Sequence, residues 1–172
     1  MKITSLDKLL EDELKDIHSA ESQLIKAMPK ITKVVKSKEL RAILDEHLQQ
    51  THKHLERVEE ICRKLEINPK GKKCMGMEGL IGEVTDLLKT EGDAVSLEAA
   101  LIGDVQRIEH YEIAAYGTAR AHALLLGFVE AVKLLSQTLQ EEKLADEKLT
   151  RIAENKVNVQ AAMTDEVPLE SL

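Results

Sequence analysis

The sequence contains few aromatic residues and few residues that form turns. Its 172 residues include no Trp, two Tyr and one Phe, with only eight Gly and three Pro. Strand-rich folds depend on aromatic and β-branched side chains and on frequent turns, so a sandwich, a barrel and a βαβ fold are disfavoured. The chain is instead rich in Leu, Ala, Glu, Lys and Gln, which are strong helix formers. The composition therefore indicates an all-α protein.

The sequence also lacks an excess of basic charge, a set of cysteines and long apolar runs. The net charge is −7, whereas proteins that bind nucleic acid usually show a basic face. No apolar run approaches the roughly 18 to 20 residues that span a bilayer, and the residues from Met1 to Asp7 do not resemble a signal peptide. Cys62 and Cys74 are too few for a disulfide scaffold. We therefore expect a cytoplasmic protein with free thiols and with neither a nucleic-acid nor a membrane partner.

Apolar residues recur at helical spacing along most of the chain. The pattern predicts two pairs of long helices, each pair joined by a tight turn, with a connection of about 30 residues between the pairs. This order is typical of a ferritin-like antiparallel four-helix bundle whose long crossover carries a short helix. We expect residues 1–157 to form the bundle and residues 158–172 to form a C-terminal tail. The predicted helices are A from Thr4 or Ser5 to Val35, B from Ser37 to Leu65, the short helix from Met77 to Leu88, C from Ser96 to Leu126, and D from Phe128 to Glu154.

Polar residues interrupt the apolar stripe near the middle of every long helix. Glu21 falls between Ile17 and Leu24 in helix A, and Glu112 follows an isoleucine at the same spacing in helix C. In helix B the stripe after Leu44 runs through His47, through Gln50 or Thr51, and through His54. Helix D has Glu142 in the equivalent place, followed by Ala145 or Asp146. The candidate metal ligands are Glu21, His54, Glu109, Glu112, Glu142 and Asp146.

This polar layer indicates a metal site in the core. A lone buried carboxylate costs several kcal/mol unless it is paired, protonated or bound to a metal. Carboxylate oxygen with imidazole nitrogen suits Fe or Mn, with Zn as an alternative. A different interpretation is that the helical phases are shifted by one residue, so that these groups face solvent. The Glu-x-x-His pairs of di-iron bundles are absent, and the nearest string, from Gln49 to His52, has amides where acids belong.

Four separated segments resemble the YciE/YciF group, a branch of unknown function within the ferritin-like superfamily. The resemblance covers roughly residues 3 to 157. It implies a ferritin-like bundle, often dimeric, that is associated with bacterial stress responses and has a metal site but no established reaction. The segments are Asp16-Ile17-His18-Ser19-Ala20-Glu21-Ser22-Gln23-Leu24, Cys74-Met75-Gly76-Met77-Glu78-Gly79-Leu80-Ile81, Glu109-His110-Tyr111-Glu112-Ile113-Ala114-Ala115-Tyr116-Gly117 and Thr138-Leu139-Gln140-Glu141-Glu142-Lys143.

The resemblance also bears on individual residues. Members of the group usually have glutamate at one or both positions that match Gln49 and Gln50, whereas this chain has neither. The departure weakens the expectation of a complete di-iron site with oxidase chemistry. The motif positions that the resemblance implies are Asp16, Glu21, Glu109, Glu112 and Glu142.

The sequence is compatible with two functions. The first is a metal-binding, redox-active stress protein in which Glu21, Glu112, Glu142 and His54 hold Fe or Mn, with Asp146, Glu109 and Gln50 as weaker ligands or outer partners. The second is a structural or interaction bundle that has lost its metal. A DNA-protecting ferritin cage is disfavoured by the acidic charge. Whether the protein is an enzyme is left open. Because Leu6, Leu9 and Leu10 exceed what one core stripe needs, we expect a homodimer.

Overall fold

The computed structural model describes residues 3–163, and the regular structure among them is helical. The absence of any strand in this part of the chain confirms the predicted all-α class. Four of the helices are long, and one of medium length lies between the second and third long helices. The elements are α1 (Leu6–Val34), α2 (Lys38–Lys64), α3 (Met75–Leu87), α4 (Ala94–Leu125), α5 (Val129–Ile152), a π-helix (Ala153–Val157) and α6 (Asn158–Ala162).

Local sequence signals set the helix ends. The Ser37 hydroxyl accepts the backbone N–H of Leu40 at 3.3 Å and so caps α2. The Asp93 carboxylate caps α4 by accepting two backbone N–H groups, at 3.0 and 2.8 Å. Gly127 follows α4 with a φ of 75°, a conformation that a residue with a Cβ rarely adopts. Pro29 lies inside α1, which continues beyond it to Val34.

The long helices surround a core made of two apolar clusters. α1 packs against α2 and α4, and α5 packs against the same two helices. One cluster joins the C-terminal part of α1 to the N-terminal parts of α2 and α4 and to the end of α5. The other joins the N-terminal part of α1 to the C-terminal parts of α2 and α4 and to the start of α5. A layer of buried polar side chains separates the two clusters, as the interrupted stripes predicted.

The connection between α2 and α4 is fastened to the long helices by polar contacts. The hydroxyl of Tyr111, on α4, donates to Asp16 Oδ2 on α1 at 2.6 Å and lies 2.9 Å from the sulfur of Cys74. Cys74 precedes α3, and its sulfur accepts the backbone N–H of Met77 at 3.4 Å. Lys72 adds a contact to Asp12 Oδ2 at 2.6 Å. These contacts hold α3 across α1 and α4, with which it packs.

The C-terminal segment continues the helical structure beyond α5, and neither cysteine forms a disulfide. The chain remains helical past residue 157 through α6, whereas residues 164–172 of the predicted tail lie outside the described residues. Cys62 and Cys74 are free and buried. No helix in the described part of the chain has the length and hydropathy needed to cross a membrane.

Candidate metal centre

Six buried side chains converge in the polar layer between the two apolar clusters. α1 contributes one glutamate, α2 both histidines, α4 two glutamates and α5 one glutamate, and none of the six is more than 3% exposed. They form two groups that share Glu142, and in each group the ligand atoms lie within 4.8 Å of one another. The first group is His47, Glu109, Glu112 and Glu142, and the second is Glu21, His54 and Glu142.

The first group surrounds the imidazole of His47 with carboxylates. Nε2 lies 3.3 Å from Glu109 Oε1 and 4.0 Å from Glu112 Oε2, while Nδ1 lies 3.9 Å from Glu142 Oε2. Neither ring nitrogen and none of the six carboxylate oxygens has a hydrogen-bond partner. Because buried polar atoms are nearly always hydrogen-bonded, this many unpaired atoms at one place indicate a position suited to a cation.

The second group contains His54. Its Nδ1 lies 2.8 Å from Glu142 Oε1 and 3.8 Å from Glu21 Oε1. The hydroxyl of Tyr116, on α4, donates to Glu21 Oε1 at 2.5 Å, which leaves Glu21 Oε2 without a partner. Tyr116 is itself 1% exposed. One oxygen of Glu21 is thus held by the protein while the other is free for a ligand.

Burial raises the pKa of three of the four carboxyl groups. The pKa of Glu21 rises to about 8 because burial and the charge of Glu142 outweigh the favourable charge of His54. The pKa values of Glu109 and Glu112 are raised well above their usual range, again through burial first and through neighbouring carboxylates second. Like charges in a low-dielectric core disfavour ionisation. Without a cation, Glu21, Glu109 and Glu112 therefore favour the protonated, neutral form.

Glu142 and the two imidazoles behave differently. Burial alone would raise the pKa of Glu142, but the close contact with His54 Nδ1 and the charges of both imidazoles leave it lowered. The pKa of His54 is raised because its contacts with Glu142 outweigh the effect of burial. Burial lowers the pKa of His47. Glu142, which belongs to both groups, is accordingly the carboxylate that stays ionised.

The donor set fits a pair of divalent transition metals. Four carboxylates carry four negative charges, which two divalent cations cancel, and neutral imidazole completes each group. Donors bound to one ion at about 2.1 Å lie within about 4.2 Å of each other, so small inward movements bring the observed groups to bonding distance. Oxygen and imidazole donors suit Fe, Mn and Zn. The donor atoms are thus close enough together, and of the right chemistry, for the cluster to hold a metal ion of an identity that the geometry leaves open.

The structure brings five of the six predicted ligands together and places Asp146 elsewhere. The carboxylate of Asp146 accepts a hydrogen bond from Gln106 Nε2 at 2.8 Å and lies 3.4 Å from His110 Nε2. A four-residue step along a helix turns about 40° past a full revolution. Asp146 therefore lies on the flank of α5 when Glu142 faces the centre.

His47 belongs to the centre, although the sequence analysis left it out of the candidate ligands. A signal was present, because His47 follows Leu44 by three residues on the apolar stripe. The Glu-x-x-His pattern does not include His47, because α2 supplies both imidazoles, seven residues apart. Gln50 is half-buried and Gln49 is exposed, so the amides that depart from the family pattern leave the buried donor set intact.

Comparison with known proteins identifies the family. The family described as a domain of unknown function (DUF892) matches residues 5–162. This chain belongs to that family. Protein YciF of Escherichia coli (strain K12) is 38% identical over 162 residues, which cover 94% of this chain and 98% of YciF. The resemblance noted from the four sequence segments is thereby confirmed.

Solved structures give the same result. The crystal structure of the E. coli stress protein YciF superposes with a TM-score of 0.87 at 38% identity and covers 91% of this chain and 99% of that one. YcfI from Rhodopseudomonas palustris has a TM-score of 0.83 at 38% identity and covers 87% and 95%. A protein from Xanthomonas campestris pv. campestris, at 18% identity and a TM-score of 0.73, shares the fold. The chain is thus an all-helical DUF892 protein homologous to the stress protein YciF.

Proposed function

We propose that this DUF892 protein is a stress-response protein whose buried Glu/His centre binds two transition-metal ions, Fe or Mn. One observation carries the proposal: four buried glutamates and two buried histidines converge in two groups that share Glu142, and most of their polar atoms have no hydrogen-bond partner. The assignment to stress response follows from the homology with YciF, which is described as a stress protein.

We further propose that the four long helices form a ferritin-like antiparallel four-helix bundle with α3 in its crossover. The pairing of helix ends in the two apolar clusters supports this topology. Ferritin-like bundles hold metal ions with inward-facing side chains from all four helices. Here each of the four long helices contributes at least one side chain to the buried centre.

The residues divide naturally between two ions. His47, Glu109 and Glu112 would hold one ion, Glu21 and His54 the other, and Glu142 would lie between them. A bound pair of Fe or Mn ions supplies electron exchange with dioxygen or with a peroxide. The protein orients Glu21 through the Tyr116 hydroxyl, and the apolar clusters above and below the layer keep bulk water away. The second position has three protein donors against four for the first, so an ion held there would be the better placed of the two to accept a small oxidant.

The second candidate function is a structural or interaction bundle without metal. It is favoured by the description of YcfI, a 38% identical relative, as a proposed structural protein. The absence of Glu-x-x-His pairs agrees with it. In that case Glu21, Glu109 and Glu112 would remain protonated, and no cation would be needed.

Metal content separates the two functions. Protein purified without chelator, from cells supplied with Fe, Mn and Zn, is expected to contain about two transition-metal ions per chain by elemental analysis. The double variant Glu21→Ala/Glu112→Ala is expected to contain none, because each position loses a charged ligand. The matched control, Glu39→Ala/Glu147→Ala, removes two exposed acids and should bind metal as the wild type does.

Thermal melts complete the test. Added Fe(II) or Mn(II) should stabilise the wild type and leave the double variant unchanged. In the metal-free state the double substitution should cost little, since it removes two buried carboxyl groups whose ionised forms the core disfavours. A wild type that gains nothing from metal, together with a double variant that loses several kcal/mol without it, would show that these glutamates are structural hydrogen-bonding groups.

A further inference from the structure

The imidazole of His54 lies between consecutive glutamates of α5. Its Nδ1 lies 2.8 Å from Glu142 Oε1, and its Nε2 lies 2.9 Å from Glu141 Oε2. Adjacent residues of a helix point about 100° apart, so the two carboxylates approach the ring from different directions. The Glu142 side chain is fully buried, whereas that of Glu141 is 22% exposed. The two ring nitrogens therefore face different surroundings, one in the centre and one on its outer side.

Glu141 is itself held firmly by Arg57. Nη1 and Nη2 of Arg57 donate to Glu141 Oε2 and Oε1 at 2.6 and 3.0 Å. This two-point contact between a guanidinium and a carboxylate is strong and directional. Nη1 also donates to Thr138 Oγ1, on the preceding turn of α5, at 3.0 Å. Arg57 lies one turn after His54 on α2, so the contacts tie α2 to α5 beside the ring.

The other histidine of the centre lacks such support. Neither nitrogen of His47 has a hydrogen-bond partner, although carboxylates surround the ring. His54, by contrast, has its outer nitrogen bonded to a carboxylate that is fixed in turn. The two imidazoles thus differ in whether anything outside the centre determines their orientation.

We propose that Glu141 and Arg57 are positioning residues that orient His54 so that Nδ1 faces the ion position shared with Glu21 and Glu142. The inference rests on the proposed metal-binding function. A carboxylate paired with a guanidinium only accepts hydrogen bonds, so Nε2 donates to it and the lone pair of Nδ1 is left for the ion. Loss of the outer partner of a metal-binding histidine typically lowers metal affinity about 10- to 100-fold.

Three variants test this proposal by Zn(II) titration against a competing chelator. Glu141→Leu removes the acceptor and should lower the affinity for one of two ions about 10- to 100-fold. Glu141→Gln keeps a carbonyl oxygen that accepts from Nε2, so it should retain most of that affinity. Glu147→Leu, which removes an exposed acid from the same helix, is the matched control and should bind as the wild type does.

Nitrogen-15 NMR of His54 distinguishes positioning from general stability. In the Zn-loaded wild type we expect Nδ1 as the bound atom and a slowly exchanging proton on Nε2. In Glu141→Leu that proton should exchange rapidly with water. A Glu141→Leu protein that matches the wild type in affinity, or that loses affinity with the His54 signals unchanged, would overturn the proposal.

Failure of the underlying function would be recognised separately. If the wild type takes up no Zn(II), Fe(II) or Mn(II), the metal proposal fails. Crystal structures of the metal-free wild type and of Glu141→Leu then decide the role of Glu141. A His54 ring that turns away from Glu142 in the variant supports the positioning role, and an unchanged ring overturns it.

Discussion

His47 and His54 face the same buried layer from one helix, with ring centroids 6.4 Å apart and ring planes inclined at 66°. They lie seven residues apart on α2, which is close to two helical turns. Each belongs to a different group of potential ligands, and the two groups meet at Glu142. A single helix therefore supplies the nitrogen donor of both positions, whereas the Glu-x-x-His pattern takes its histidines from two helices.

From this arrangement we predict that each of the two metal positions can be removed by substitution without loss of the other. His47→Ala removes the sole nitrogen donor of the first group, so the protein should bind one transition-metal ion per chain instead of two. His52→Ala is the matched control, because His52 lies on the same helix and is exposed. Elemental analysis after dialysis against metal-free buffer gives the count. Two ions in the His47 variant would contradict the assignment of this position.

The buried carboxyl groups predict how the stability of the metal-free protein depends on pH. The folded-state pKa of Glu21, about 8, lies above its ordinary value of 4.5. The folded protein therefore favours the protonated acid, and this contribution is complete below pH 4.5 and is lost as the pH rises through 8. We expect the free energy of unfolding to fall between pH 5 and pH 8, with Glu21 alone contributing roughly 1 kcal/mol per pH unit.

Denaturant titrations of the metal-free protein check this expectation. Glu21→Gln should show a shallower pH dependence than the wild type, because one titrating group has been removed. Glu147→Gln, which alters an exposed acid, should follow the wild type. A free energy of unfolding that is constant from pH 5 to pH 8 in the wild type would mean that the buried acids are ionised and neutralised by other means.

Replacing each of two glycines of α3 by alanine should change the stability of the protein in opposite directions. A Cβ at Gly76 would lie 2.7 Å from Cε2 of Tyr111, and this ring is held by the contacts of its hydroxyl with Asp16 and Cys74. Gly76→Ala should therefore destabilise the protein by about 1–3 kcal/mol through overpacking. Gly79→Ala on the same helix meets nothing within 4 Å and should stabilise it by about 0.5–1 kcal/mol. Equal effects of the two changes in thermal melts would refute this account of the crossover.

A homodimer remains a prediction, and the structure refines where to look for its interface. Leu10 lies in the core at 1% exposure, whereas Leu6 and Leu9 are half-buried. The start of α1 lies at the same end of the molecule as the turn between α4 and α5, where Leu125 and Val129 are 78% and 75% exposed. We therefore expect the interface at this end of the molecule, since exposed apolar side chains that cluster often mark an interaction site.

Light scattering at micromolar concentration should give twice the chain mass of 19.2 kDa. The substitution Leu125→Glu should shift the mass towards the monomer by placing a charge in the apolar surface. Met75→Glu, at an exposed methionine on α3, should leave the mass unchanged. A wild-type mass of about one chain would exclude the homodimer.

Local patterns in the sequence were sufficient to predict the helices. The spacing of apolar residues, the cap at Ser37 and the stop at Gly127 act within a few residues of each other, so they can be seen without knowledge of the partners of a helix. The same periodicity indicated that Glu21, Glu112 and Glu142 interrupt apolar stripes, because a stripe marks the face that a helix buries. The expectation of a buried polar layer came from this observation.

The grouping of ligands depended on the tertiary structure. Which donors share one ion is set by the rotation and mutual position of four helices, and rotations of about 40° decide whether a side chain enters the centre, as Glu142 does, or lies on its flank, as Asp146 does. The pairing of Arg57 with Glu141 and of Tyr116 with Glu21 joins residues that are more than 80 positions apart in the chain. The sequence determined which face of each helix is buried, because apolar spacing marks that face. Packing of the helices decided which of the buried residues meet, since contacts between helices carry no periodic signal along the chain.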